Sequence, residues 1–509
     1  MRFRYSEVPD LPALAWCARV DRGKDEIRLV HGSGVETRPH AFVEGAWDDD
    51  FASFNFIDAT IVCGTGGRVD RGQVRFSGST DRLCPLFSIA KRDSIFVSQS
   101  PAFVMATAGE APDDIYPFYA HDFIRIFRQG LYCQNGKLKL QSGLPLRVHF
   151  SSVLTIDKQL TTTVSTHRLC ESPRDFQSYK ALLVEGVGRV LKNADDPARR
   201  RRYQPLAALS KGYDSSATAA LASGAGCTEA VSSRDSRSDD PDADCASENA
   251  PYLGMTCTEY DRWEYLHLDR SVEPEFAYFT VASIASLAGI DRLLTGRILI
   301  NGWSGDAVWN PRHAQAFVNL SRCFTKYITG IGQLEFRLRV GYQLFPAPMI
   351  AARHNLAIYA ISGSKEMRPW SIGGKYDRPI PRRIAEEAGL PRERFGMSKV
   401  GTGHAHLNDP SQFSKKAADD YFGFVRARHA NIAWPTRAYW WTRAHWRGFL
   451  MNTVSKPRFV PSSPLQRRFP FLLNASPIHI PYDFLFVFQW ASAVMRSRYA
   501  FSVANVGER

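Results

Sequence analysis

The chain has 509 residues, 44% of them hydrophobic, with 64 Lys and Arg against 51 Asp and Glu for a formal net charge of +13. That length carries two or three domains with sizeable cores. Nine cysteines without a Cys-x-x-Cys argue against a disulfide framework and a zinc ribbon, and no apolar run approaches the roughly 20 residues of a membrane span.

Taken in chain order, residues 40–165 read as β-rich. Leu86-Phe87-Ser88-Ile89-Ala90, Ser94-Ile95-Phe96-Val97-Ser98 and alternating stretches from Leu146 to Ile156 predict strands. Gly64-Thr65-Gly66-Gly67 and polar turns punctuate them. Residues 172–194 predict one amphipathic helix, with Phe176, Tyr179, Leu182, Leu183, Val187, Val190 and Leu191 as its apolar face. A domain boundary is expected near residue 170.

Residues 209–216, Leu-Ser-Lys-Gly-Tyr-Asp-Ser-Ser, follow a short apolar stretch and open onto the helix-forming Ala217-Thr218-Ala219-Ala220-Leu221-Ala222. A strand that turns sharply into a helix through these residues makes an anion site. First-turn amides lack partners, the dipole end is positive, and Gly212 admits close approach. The segment resembles the pyrophosphate-binding loop of the PP-loop ATP pyrophosphatases, Ser-Gly-Gly-x-Asp-Ser. Those enzymes split ATP between its α- and β-phosphates and pass AMP to a carboxylate or carbonyl oxygen. Lys211 stands at the first glycine position, either as an added phosphate ligand or as drift. Were φ positive there, a lysine would be strained by about 1–2 kcal/mol. A helix merely capped by Ser210 or Asp214 is the plain alternative.

Thr228 to Ser233 predicts the next strand, followed by Asp235-Ser236-Arg237-Ser238-Asp239-Asp240 and then Leu253-Gly254-Met255. This order is similar to the asparagine-synthetase-type domain, in which an acidic loop follows strand two and a helix ends in Leu-Gly. The resemblance implies that Leu209 and the backbone around Val231 flank the adenine. A third segment, Ile298-Leu299-Ile300-Asn301-Gly302-Trp303-Ser304-Gly305-Asp306, ends an apolar strand in a Gly-rich turn with one carboxylate. It resembles the family turn whose Asp reaches magnesium on the pyrophosphate. Asp214 and Asp306 together would suffice, because Mg²⁺ takes one or two carboxylates plus phosphate oxygens and water. Asn301 and Gly302 match positions that touch the nucleotide. Trp303 replaces a family glutamate or tyrosine that helps deprotonate the nucleophile, and indole offers only a donor N–H. Its ring packs either on a ligand or on the core.

Further on come Tyr376-Asp377-Arg378-Pro379, an amphipathic helix ending in Gly389-Leu390-Pro391, and Phe395-Gly396-Met397-Ser398-Lys399. In the family a helix and loop here deliver a lysine to the α-phosphate, which makes Lys399 the matching candidate. His404 and His406 beside it read as solvated loop residues. Residues 410–509, with Trp434, Trp440, Trp441, Trp446 and the stretch from Phe484 to Met495, predict packed helices.

Asparagine synthetases carry a glutaminase domain whose nucleophile is a cysteine at the first position. This chain opens Met1-Arg2-Phe3 and its first cysteine is Cys17. Ser98-Gln99-Ser100 with Phe103-Val104 resembles a passage of degenerate glutaminase-like domains.

The expected fold is therefore α/β. A β-rich, Ntn-like sandwich without its nucleophile (1–170) precedes a doubly wound parallel-sheet PP-loop synthetase domain (171–409) and a helical C-terminal region (410–509). The resemblance implies an ATP- and Mg²⁺-dependent, AMP-forming amide ligase without its own glutaminase activity. Asp214 and Lys399 would be catalytic; Leu209, Ser210, Lys211, Gly212, Ser215, Val231, Asn301 and Gly302 would bind nucleotide; Asp214 and Asp306 would bind metal. Its partners would be a small-molecule or peptide carboxylate and an amine, with a homodimer or a separate partner supplying the amine both left open. No membrane is expected, and no signal peptide opens the chain, so the expected compartment is the cytoplasm. Basic residues beyond Arg199–Arg202 and Arg382-Arg383 are spread out, which argues against nucleic acid. Two rivals remain: a PP-loop enzyme modifying a nucleic-acid base through Cys227, Cys245 or Cys257, and a non-catalytic nucleotide-binding descendant.

Overall fold

Among the described residues thirteen strands build the N-terminal part, and their pairing sorts them into two facing sheets. They are β1 (Arg2–Glu7), β2 (Trp16–Asp21), β3 (Glu26–His31), β4 (Glu36–Arg38), β5 (Ala41–Trp47), β6 (Val62–Asp70), β7 (Gln73–Ser77), β8 (Leu86–Ala90), β9 (Ser94–Ser98), β10 (Gly136–Lys139), β11 (Pro145–His149), β12 (Ser152–Ile156) and β13 (Thr162–Thr166). One sheet runs β1-β3-β2-β9-β8-β11-β10 and the other β13-β12-β7-β6-β5-β4. Phe3, Trp16, Ile27 and Leu29 from the first meet Phe42, Val74, Phe76 and Leu154 from the second. The Trp16 ring lies 4.8 Å from Phe42 and 5.9 Å from Phe76.

Helices cover both outer faces. Phe103 and Met105 of α1 (Pro101–Ala108) and Phe123 of α2 (Tyr119–Phe127) share a core with Phe87, Ile89 and Phe96. On the opposite side α3 (Phe176–Ala194) buries Phe176, Tyr179, Leu183 and Val187 against Ala46 and Cys63. Asp175 and Ser178 form a capping box that fixes the start of α3, with the Ser178 amide 2.7 Å from the Asp175 carboxylate.

Five strands form the second sheet system: β14 (Gln204–Ala208), β15 (Glu229–Arg234), β16 (Thr256–Asp261), β17 (Arg297–Asn301) and β18 (Gln343–Pro346). Their order is β16-β15-β14-β17-β18 and every neighbouring pair is parallel. The chain thus steps outward in one direction from β14 and then returns to its other side with β17. Both faces of its inner strands are buried, as parallel sheets require, while the edge strand β16 is largely open. Ala207, Ala230, Ile298 and Ile300 pack toward α3 and α4 (Tyr213–Gly224), whereas Leu206, Val231 and Leu299 pack toward the segment 285–294, which holds α5 (Asp291–Leu294), and the helix Leu334–Val340.

The structure, a computed structural model, describes residues 1–127, 136–278, 284–310, 330–374, 376–397, 407, 409–454 and 482–504. It is a mixed α/β protein with a β-rich N-terminal region and a parallel sheet. The structure differs from the sequence reading at two local points. Before Gly254 the chain forms a 3₁₀ segment, Ser247–Leu253, because Pro251 lacks the amide an α-helix would use. Beyond residue 410 the helices Lys415–Ala430, Trp434–Val454 and Val487–Ala504 are present, but of the four tryptophans expected to pack only Trp440 is buried; Trp434 is 72% exposed. Val487–Ala504 returns to the N-terminal layers, where Tyr499 stacks on Phe103 at 4.5 Å. Among the described residues no helix is long and apolar enough to cross a membrane.

Candidate functional site

The ends of β14 and β17 lie side by side, with Ala207 in register with Ile300. Two turns leave them at the reversal of strand order, the place where open α/β sheets in general form a crevice outside the carboxyl ends of their strands. The first turn is Leu209 to Gly212. The Leu209 amide donates to the Val231 carbonyl at 2.9 Å, and both side chains are buried. Gly212 is the N-cap of α4, extended at φ −75°, and supplies no side-chain cap to the first-turn amides.

The serines organise the loop. Ser210 Oγ and Ser215 Oγ are 2.6 Å apart, the Gly212 amide donates to Ser210 Oγ at 3.2 Å, and Ser216 Oγ donates to the Ser210 carbonyl at 3.0 Å. A Cβ on Gly212 would come within 3.3 Å of Ser210 Oγ. Lys211 is not in the left-handed region, so the strain considered for a lysine at this position is absent. Its amide donates to the Asp244 carbonyl at 3.1 Å, and its Nζ to the Asp242 carbonyl at 2.8 Å.

The acidic loop is accordingly more than a solvated run. Asp242 accepts two hydrogen bonds from Arg234 at 2.6 and 3.0 Å, and Asp235 is held by Arg262 at 3.0 Å and by the Trp263 indole at 2.6 Å. Asp244, a residue the sequence reading passed over, reaches the Leu209–Gly212 turn. Burial pushes its carboxyl up to about 6, against the pull of the Ser210 hydroxyl and the Lys211 charge.

The second turn is Asn301 to Asp306. Asn301 is buried and spends its Oδ1 on the Trp303 amide at 3.0 Å. Ser304 adopts φ 71°, which turns the chain into α6 (Gly305–Val308) and leaves Asp306 exposed at its start. The two glycines press this turn onto α4. A Cβ on Gly302 would sit 2.5 Å from the Asp214 carbonyl carbon, and one on Gly305 would sit 2.5 Å from Asp214 Cγ. Trp303 is half-buried and packs against the core.

A third segment closes on the loop. Arg378, only 4% exposed, donates through Nη1 to Asp214 Oδ2. Burial disfavours its charge, but Asp214 and, at longer range, Asp306 more than offset that and raise its pKa. Tyr213 is buried beneath Tyr376 (4.8 Å), Phe395 (6.1 Å) and the Arg382 guanidinium, whose Nη2 donates to the Tyr213 hydroxyl at 2.7 Å. The Gly396 amide donates to the Lys211 carbonyl at 2.8 Å. Lys399, with His404 and His406, lies outside the described residues.

The structure thus brings Leu209, Ser210, Lys211, Gly212, Asp214, Ser215, Val231, Asn301, Gly302 and Asp306 to one crevice. Sequence reasoning missed the roles of Arg378, Arg382, Tyr213 and Asp244; only the Arg-Pro pair opening a helix was visible. No three His, Cys, Asp or Glu side chains cluster as a metal site among the described residues. Asp214, already paired with the Arg378 guanidinium, and the exposed Asp306 suit a hard ion only if phosphate oxygens complete its shell. Asp214 and Asp306 fit Mg²⁺ in that sense. A separate open pocket, lined by Asp81, His167, Cys170 and Arg353, shares no lining residue with these turns. Comparison with protein-family models and with curated proteins gave no match.

Proposed function

We propose that the chain is an ATP-dependent, AMP-forming amide ligase of the kind the sequence resembles, the asparagine-synthetase-like PP-loop enzymes. One observation carries this: Asp214 and Asp306 stand at the carboxyl ends of two adjacent parallel strands, on either side of the point where strand order reverses. The α4 N-terminus, without a side-chain cap, presents amides and a positive dipole end to the β- and γ-phosphates. Ser210 and Ser215 supply hydroxyls beside them. Mg²⁺ held by Asp214 and Asp306 would neutralise charge on the departing pyrophosphate.

A carboxylate substrate attacks the α-phosphorus, pyrophosphate leaves, and an amine displaces AMP from the acyl-adenylate. Lys399 is the proposed α-phosphate ligand, by its match to the family lysine. The amine comes from outside this chain. Burial pushes the thiols of Cys17 and Cys84 up to about 12 and that of Cys63 up as well, so these N-terminal cysteines offer no ready thiolate for glutamine hydrolysis. The same cause raises Cys227 and, to about 11, Cys257, which weighs against sulfur transfer to a base.

The test is exchange of labelled pyrophosphate into ATP in the presence of Mg²⁺ and a pool of candidate carboxylates. Exchange that falls at least ~100-fold in Asp214→Ala supports the proposal. Exchange of orthophosphate, or pyrophosphate exchange that survives this substitution, contradicts it.

A further inference from the structure

We propose that Arg378 is a resident counter-cation that keeps bare divalent metal off Asp214, so that metal enters this crevice together with a polyphosphate. The inference rests on the reading of the site given above and adds an order of binding to it. Arg378 is buried, donates to Asp214 Oδ2, and lies 5.2 Å from the Tyr376 ring centroid. Its backbone begins the helix Pro379–Glu387, whose Pro379 and Pro381 limit local rearrangement.

A bare divalent ion at Asp214 must either sit beside this guanidinium or displace it. The first places like charges together in a half-buried site. The second leaves a buried guanidinium without its carboxylate, the costly half of a broken buried pair. A metal–polyphosphate complex avoids both. Asp214 passes from Arg378 to the metal, and the guanidinium passes from Asp214 to phosphate oxygens, which match its planar donors at least as well. Asp306, exposed one residue beyond Gly305, would add a second carboxylate to the ion. No bond is made or broken in this exchange beyond hydrogen bonds and metal coordination.

The experiment is a Mn²⁺ titration of the full chain followed by electron paramagnetic resonance, with and without ATP. Without ATP, Arg378→Gln should bind Mn²⁺ at least ~10-fold more tightly than the wild type, and Asp214→Asn combined with it should abolish the gain. With ATP, the wild type should acquire a Mn²⁺ site that Asp214→Asn weakens. Should Arg378→Gln fail to fold, the wild type decides alone: a nucleotide-independent Mn²⁺ site that Asp214→Asn removes and ATP does not strengthen overturns the proposal. An unchanged Mn²⁺ affinity in folded Arg378→Gln overturns it too. If Arg378→Gln gains Mn²⁺ but ATP binds under no condition, the counter-cation role stands and the nucleotide reading falls.

Discussion

At the scale of single residues, the crevice depends on atoms that are absent as much as on those present. Gly302 and Gly305 exist as glycines because Asp214 and Ser215 occupy the space a side chain would need. Gly302→Ala should therefore destabilise the protein by about 1–3 kcal/mol through overpacking and weaken ATP binding, read by thermal melting and by calorimetric titration. Retention of both would show that the turn and α4 are not in contact.

Glu335 is a second residue with a defined consequence. It is fully buried, takes hydrogen bonds from Ser100 and Tyr499 at 2.5 Å each, and burial pushes its carboxyl up to about 7 despite them. In the unfolded chain it ionises near its ordinary value of 4.5. Between these values the folded state holds a proton the unfolded state has released, so this group's contribution is full below about 4.5 and is lost as pH rises through 7. Glu335→Gln should flatten the fall of Tm between pH 5 and 8 relative to wild type; an unchanged difference across that range would refute the assignment.

Motif residues such as Ser210, Asp214 and Asp306 were legible in the sequence because their spacing is local. Arg378 and Asp244 were not, since each acts on a loop distant in the chain, and nothing in a lone Arg or Asp reveals what it will face.

At the scale of elements, hydrophobic period was the reliable guide. The apolar stripe from Phe176 to Leu191 became α3, and the runs at 205–209 and 298–300 became the adjoining strands β14 and β17. Pattern failed where sequence signals carry no partner. The aromatic-rich stretch from Trp434 does form a helix, but its period does not reveal that three of its four tryptophans face away from the core.

The element that closes the site, Tyr376 to Gly396, docks through Tyr213. Gly396 has φ 65° and lies so close that a Cβ would fall 2.4 Å from the Tyr213 ring. Gly396→Ala thus combines backbone strain with a clash against a buried ring. Its expected signature is faster amide exchange at residues 376–397 and at Lys211, with the N-terminal strands unchanged. Uniform exchange across the chain, identical to wild type, would show that this segment closes the loop by some other contact.

At the scale of the whole molecule, a buried ion pair ties the two sheet systems together. Arg337 donates to both oxygens of Glu44 at 2.8 Å, with Gln343 and Thr65 completing the network, and both charged groups are excluded from water. Glu44 belongs to β5 of the sandwich, whereas Arg337 lies on the helix behind the parallel sheet. Removing one partner strands the other charge, so Arg337→Met alone should cost about 3–5 kcal/mol, while Arg337→Met with Glu44→Leu should recover most of it. Chemical denaturation of the single and double variants measures this directly. Nothing local marks the pair, because its members are separated by most of the chain.

The central claim is that this crevice splits ATP between its α- and β-phosphates. The direct measurement is the fate of ATP labelled at the α-phosphate, incubated with the full chain, Mg²⁺, ammonia and a pool of carboxylates. Labelled AMP that disappears in Asp214→Ala and Lys399→Ala is the predicted result. Labelled ADP as the product would contradict the account.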